Sequence, residues 1–212
     1  MKQGRFFVLE GLDGCGKSTQ ARRLVQRLEA SGRTVVHTRE PGGTPLGEAV
    51  RGILLDPATG EIHPRAEVLL YQVARAQLVE AVIRPALQQG VDVVCERWHY
   101  ATLAYQTASH AGADQGASED VVRTSSGLAT AGVEPDRAIL LALPLETGAE
   151  RVGADQDRIE ARGDAYRRQV AATYARIFAG DAARFRTVTA RGSIDEVHAR
   201  VWEAVADLVE AA

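Results

Sequence analysis

Gly11-Leu12-Asp13-Gly14-Cys15-Gly16-Lys17-Ser18 follows the apolar run Phe6-Phe7-Val8-Leu9 and opens an amphipathic stretch from Lys17 to about Ala30. Strand, glycine loop and helix in that order are what a phosphate-binding loop requires. The glycines let the backbone curl so that successive N–H groups face phosphate oxygens, and the positive end of the following helix adds to the attraction. Lys17 is then placed for the β- and γ-phosphates and Ser18 for Mg²⁺. Lys17 is one of only two lysines in a chain that otherwise uses arginine. A compact ammonium at this position suits close work on phosphate. The chain is read as a binder of a nucleoside triphosphate.

The rest of the composition fits such a machine. At 212 residues, 45% hydrophobic and 25% charged, the chain is expected to form a single α/β domain, residues 1–212. No apolar run approaches the roughly 20 residues a membrane span needs, and the start enters a strand with no signal-peptide hydrophobic region, so a cytoplasmic location is expected. Cys15 and Cys95 are too few for a disulfide framework. A net charge of −3 carries no polycation signature, so nucleic acid is not expected as a partner.

Short β-branched runs alternate with longer helical patterns. Strands are expected at 6–10, 34–38, 91–95, 138–143 and 185–189, which implies a five-stranded parallel sheet with helices on both faces. The helix from Lys17 stops at Ser31-Gly32. Another runs from about Arg65 to Gln89, with Pro85 as a kink or junction. A capping box, Ser193 to Glu196, opens a last helix whose Ile194, Val197, Val201, Val205 and Leu208 form a core stripe. The Ser-, Gly- and Ala-rich stretch from 109 to 118 reads as a mobile connection.

Among triphosphate enzymes, a GTPase is disfavoured, because its Asn-Lys-x-Asp base-recognition motif is impossible in a chain with no asparagine. The third strand ends Cys95-Glu96-Arg97. An acid followed by a base at the carboxyl edge of a parallel sheet places one group toward metal or water and the other toward a phosphate. Arg39, after the second strand, lies at the same edge. A small phosphotransferase is favoured, with a surface ion pair such as Arg39 with Glu40 as the alternative role for either arginine.

These segments resemble the thymidylate kinases, bacterial-type P-loop nucleoside monophosphate kinases. The resemblance runs through Phe7 to Thr19, Thr38-Arg39-Glu40-Pro41-Gly42-Gly43-Thr44, Arg75-Ala76-Gln77, Glu96-Arg97, Ala104-Tyr105-Gln106 and Asp157-Arg158-Ile159-Glu160. It implies the three-layer P-loop NTPase fold with a short lid at about 151–163, and phosphorylation of dTMP to dTDP by Mg·ATP in dTTP biosynthesis. It also implies a homodimer. ATP would lie on Gly11, Leu12, Asp13, Gly14, Cys15, Gly16, Lys17, Ser18 and Thr19, with Arg191 on the adenine side. The acceptor would meet Asp13, Arg39, Glu40, Arg51, Tyr71, Arg75, Arg97, Thr102 and Gln106. Tyr71 and Arg75, four apart on one helical face, offer an aromatic plate and a fork of donors, although a tyrosine packed on an arginine stem is equally a structural pairing. Gln106 offers donor and acceptor to the thymine N3–H and O4 edge. Ser18 and Glu96 are the metal candidates; Lys17, Arg97 and the lid arginines Arg151 and Arg158 are the catalytic ones. Glu96, Trp98, Ala101 and Ala142 depart from the family's usual aspartate, smaller ring, serine and aspartate. They keep two alternatives open: a kinase for dUMP or a modified pyrimidine nucleotide, and a non-catalytic ATP-binding module.

Overall fold

The computed structural model describes residues 4–108, 117–151 and 157–210. Its central strand, β1 (Phe6–Glu10), is fully buried and leads through the glycine loop into α1 (Lys17–Ala30). There follow β2 (Val35–Arg39), α2 (Pro45–Leu55), α3 (Pro64–Leu78), α4 (Arg84–Gln88), β3 (Asp92–Glu96), α5 (His99–Gln106) and α6 (Glu119–Thr130). The chain closes with β4 (Arg137–Ala142), α7 (Leu145–Arg151), α8 (Gly163–Phe178), β5 (Phe185–Thr189) and α9 (Ile194–Glu210). All strand pairs are parallel, in the order β2-β3-β1-β4-β5. The chain leaves β1 toward one side of the sheet and later returns to the other, so the carboxyl end of β1 is the crevice where such sheets bind ligands.

Alternation along the strands sorts the core into two layers. Phe7, Leu9, Val94, Ile139 and Leu141 pack with α1 and α9, and Phe6, Val8, Val93, Cys95 and Leu140 pack with the helices of the other face. Cys15 belongs to the first layer and Cys95 to the second; both are free thiols.

Three expected strands move by one residue because the ladder, not the apolar run, sets their ends. Register pairs Val35 with Asp92 and Arg39 with Glu96, so charged residues occupy both terminal rungs. Asp92 is tolerated there because it bonds Arg33 and accepts from the Arg5 N–H at 2.8 Å. The long helix expected from Arg65 to Gln89 is broken: α3 ends at Leu78, a π-helical turn spans Val79–Ile83, and α4 begins next to Pro85. Pro85 has no N–H to close onto the carbonyl four residues back. The Ser193 box is formed, Ser193 N donating to Glu196 Oε2 at 2.7 Å and Glu196 N to Ser193 Oγ at 3.2 Å. Val197, Val201 and Val205 are buried as expected, but Ile194 is 52% exposed. Of the expected mobile connection and lid, residues 109–116 and 152–156 lie outside the described residues. No helix among the described residues is long and apolar enough to cross a membrane.

Candidate active site

The glycine loop turns between β1 and α1 with Gly14 at φ 78°, a left-handed conformation that favours glycine. A Cβ there would stand 2.3 Å from the Gly148 carbonyl oxygen, so the loop runs directly against α7. Lys17 Nζ reaches back across the loop, donating to the carbonyls of Gly11 at 3.0 Å and Leu12 at 2.9 Å, with Asp13 at 3.5 Å. Ser18 and Thr19 lie in the first turn of α1. Ser18 Oγ hydrogen-bonds Glu96 Oε2, while His37 Nε2 lies 3.1 Å from Glu96 Oε1. Burial works to raise the Glu96 carboxyl, but the His37 and Ser18 hydrogen bonds outweigh it and hold it below the ordinary glutamate value. A hydroxyl and an anionic carboxylate meeting at the mouth of the loop are hard oxygen ligands, the donor set Mg²⁺ takes.

Beside the loop opens a cleft that encloses about 540 Å³ of space when its open mouth is included. Arg97 stands at its junction with the loop. Its backbone is left-handed at φ 71°, held where Arg97 N donates to Leu9 O at 2.9 Å and Trp98 N to Glu10 Oε1 at 2.8 Å. That turn sends the guanidinium to Asp13 at 2.5 Å and the Gly11 carbonyl at 3.2 Å, over the Tyr105 ring at 5.0 Å. Burial pulls the Asp13 carboxyl upward, but Arg97 and Lys17 together hold it far below the usual range.

The far wall carries Tyr71, Arg75, Thr102, Gln106, Glu40 and Arg51. Arg75 is 1% exposed, and four of its N–H bonds are engaged: two go to Glu40 Oε2 at 2.9 and 2.5 Å, one to Gln72 Oε1 at 2.6 Å and one to Thr102 Oγ1 at 3.0 Å. Glu40 is buried, and burial pushes its carboxyl up to about 7 although Arg75 pulls it down. Arg51 donates to the Pro41 carbonyl at 3.1 Å.

Three expected site residues stand apart from this cleft. Arg39, 51% exposed at its side chain, bridges Glu48 at 3.0 Å on the outer rim, because Arg75 has taken Glu40. Arg158 donates to Glu67 Oε2 at 2.5 Å and the Leu54 carbonyl at 2.9 Å, while its neighbours Asp157 and Ile159 line the cleft. Arg191 is exposed beyond β5, where its N–H donates to Thr189 Oγ1 at 3.4 Å. Arg151 does reach the loop, donating to the Gly14 carbonyl at 3.4 Å. Sequence reasoning missed Glu10 and Glu67. An acid closing the wholly apolar strand Phe6–Leu9 was the signal for Glu10, which holds Trp98 N and accepts from Tyr174 OH at 2.8 Å.

Fold and cleft define a P-loop phosphotransferase, with a phosphate loop at the end of the central strand and an arginine-lined acceptor cleft beside it. The family profile described as thymidylate kinase matches residues 9–201. A thymidylate kinase of Rhizorhabdus wittichii is 45% identical over 210 residues, covering 97% of this chain and 99% of the relative. One from Deinococcus radiodurans is 42% identical, with 98% of each chain covered. A solved thymidylate kinase structure from Candida albicans superposes with a TM-score of 0.78 at 25% identity, over 97% of this chain and 92% of that one. The chain belongs to the thymidylate kinase family.

Proposed function

We propose that this protein transfers the γ-phosphoryl group of ATP to dTMP, yielding dTDP and ADP, as a homodimer in the cytoplasm. The observation that carries this reading is Arg97: one guanidinium, fixed by a left-handed turn, joins the acceptor cleft to the phosphate loop through Asp13 and Gly11 O. ATP phosphates lie along the loop 11–18 with Lys17 and Thr19, and Arg191 flanks the adenine side. The dTMP base lies between Tyr71 and the polar edge of Arg75, Thr102 and Gln106, and Arg97 draws the acceptor phosphate toward the loop.

Two polyanions meet in this gap, so cationic and amide donors supply most of the catalysis. Arg97 and Lys17 serve from the fixed scaffold, and Arg151 from the end of α7. The attacking phosphate oxygen is already ionised, so the chain needs no general base. Ser18 and Glu96 are the residues that would hold Mg²⁺, which when bound neutralises charge on the ATP phosphates. The longer arm of Glu96, where the family usually has aspartate, is long enough to reach Ser18, which supports retention of that role.

The homodimer is supported by an apolar face on adjoining helices: Leu46 and Ile53 of α2, Leu69 and Val73 of α3 and Leu128 of α6 are exposed by 46, 46, 60, 46 and 84%.

A coupled ADP-release assay with Mg·ATP and dTMP, dUMP, dCMP, dGMP or no acceptor tests the reading. Turnover that far exceeds the others with dTMP is expected. Preference for dUMP identifies the related pyrimidine nucleotide kinase, and ATP binding without acceptor-dependent turnover identifies a non-catalytic module; either result overturns the proposal.

A further inference from the structure

Glu67 lies in the first turn of α3, four residues before Tyr71 and eight before Arg75, and is 1% exposed. It collects three donors from two distant parts of the chain. Oε2 accepts from Arg158 Nη2 at 2.5 Å and from Arg162 Nη2 at 2.6 Å, and Oε1 accepts from Gln106 Nε2 at 2.8 Å. Desolvation raises this carboxyl, but Arg162, Gln106 and Arg158 outweigh it, and Glu67 stays an anion.

An ionised carboxylate only accepts hydrogen bonds, so it fixes which way an amide beside it faces. Turned over, Gln106 would set its carbonyl oxygen against the carboxylate, two buried acceptors with no proton between them, and each would lose its water without gaining a donor. Gln106 is buried and lines the cleft. One N–H of its NH₂ goes to Glu67, which fixes the sense of the amide and leaves the carbonyl oxygen, beside the second N–H, free to meet a ligand. No described residue donates to that oxygen, and it is not one of the buried orphaned polar atoms. On the same wall Arg75, with four N–H bonds used, retains one on Nη1. The wall therefore holds an acceptor of fixed orientation and, on Arg75, an unused donor.

A 4-oxo pyrimidine brings an N3–H donor beside its O4 acceptor. A 4-amino pyrimidine brings the reverse, a bare N3 beside N4–H donors. We propose that Glu67 is a positioning residue for acceptor choice: by locking the Gln106 amide with its carbonyl toward the cleft, it makes the site reject 4-amino pyrimidine nucleotides such as dCMP. This inference rests on the dTMP reading of the cleft.

The test is calorimetric titration of the full chain with dTMP and, separately, dCMP, without ATP, for the parent, Glu67→Gln and Arg162→Met. The neutral amide that Glu67→Gln introduces can face Gln106 with either its donor or its acceptor end, which frees Gln106 to turn over. The expected result is a dCMP-to-dTMP Kd ratio that shrinks at least about tenfold in Glu67→Gln. In Arg162→Met, which removes another partner of the same carboxylate, the ratio is expected to hold within about threefold. An unchanged ratio in Glu67→Gln, or an equal collapse in both variants, overturns the proposal. Thermal melts establish that each variant is folded; if Glu67→Gln is not, Glu67→Asp takes its place with the same readings, since its shorter arm keeps the charge and withdraws from Gln106. A parent that shows no preference for dTMP overturns the reading of the cleft itself. A parent that prefers dTMP beside an unchanged variant ratio overturns the role of Glu67 alone.

Discussion

Arg97 and Asp13 are joined at 2.5 Å across the gap between the end of β3 and the phosphate loop, and Lys17 lies 3.5 Å from the same carboxylate. One acid thus orients two cations, one from the end of β3 and one from the start of α1. Arg97 also spends donors on the Gly11 carbonyl, so its fork geometry matters as well as its charge, and lysine is a poor replacement. Arg97→Lys is expected to lower kcat/KM for dTMP by about 10²-fold or more. Steady-state kinetics across dTMP concentrations check this; a loss under about fivefold would show that charge alone suffices.

Arg151 and Arg158 are separated by their partners. Arg151 touches the Gly14 carbonyl of the loop, and Arg158 is tied to Glu67 and the Leu54 carbonyl. Arg151→Met is expected to reduce kcat by about 10³-fold, the lower end for an arginine serving phosphoryl transfer. Arg158→Met should cost kcat about tenfold or less. Single-turnover measurements separate chemistry from product release, and a larger loss in Arg158→Met than in Arg151→Met would reverse the assignment.

The sheet, the loop and the capped ends of α1 and α9 were legible because they are written in local periodicity and punctuation. Helices α2, α5 and α6 were not. All of α5 except His99 is buried, so it shows no polar face to set a 3.6-residue rhythm. Tertiary pairing hid the rest. The sequence offers the adjacent Arg39 as the ion-pair partner of Glu40, and only the packing of α3 against the cleft decides that Arg75 takes it. The place of Arg158 depends on Glu67, 91 positions away, and no local pattern records such a contact.

Glu40 gives stability a pH dependence of definite sign. Its carboxyl is raised by burial from 4.5 to about 7 in the folded protein. Between roughly pH 4.5 and 7 the unfolded chain has released this proton and the native chain keeps it, so the native state binds more protons and stability falls as pH rises. Above about 7 both states are ionised and the slope ends, after a loss of at most about 3 kcal/mol. Glu10 is raised too and is present in parent and variant alike; because its charge acts on Glu40, the difference between the two proteins reads Glu40 together with that coupling. Urea unfolding of the parent and Glu40→Gln at pH 5 and 7.5 should show a smaller loss in the variant. Equal losses would show that Glu40 is already ionised in the native protein at pH 5.

Leu128 is 84% exposed on α6, and Leu69 is 60% exposed on the adjoining α3. A leucine open to water contributes little to the fold of its own chain, so a charge there should leave monomer stability within about 0.5 kcal/mol. In a two-fold interface the same change enters twice, once from each subunit, and sets an unpaired carboxylate in each half of an apolar contact. Leu128→Glu is therefore expected to shift the protein from dimer to monomer in sedimentation velocity at micromolar concentration, with far-UV circular dichroism unchanged. Leu69→Glu should act in the same direction. Dimers that persist in both variants would place the subunit contact on another face, and a parent that sediments as a monomer would remove the homodimer from the proposal.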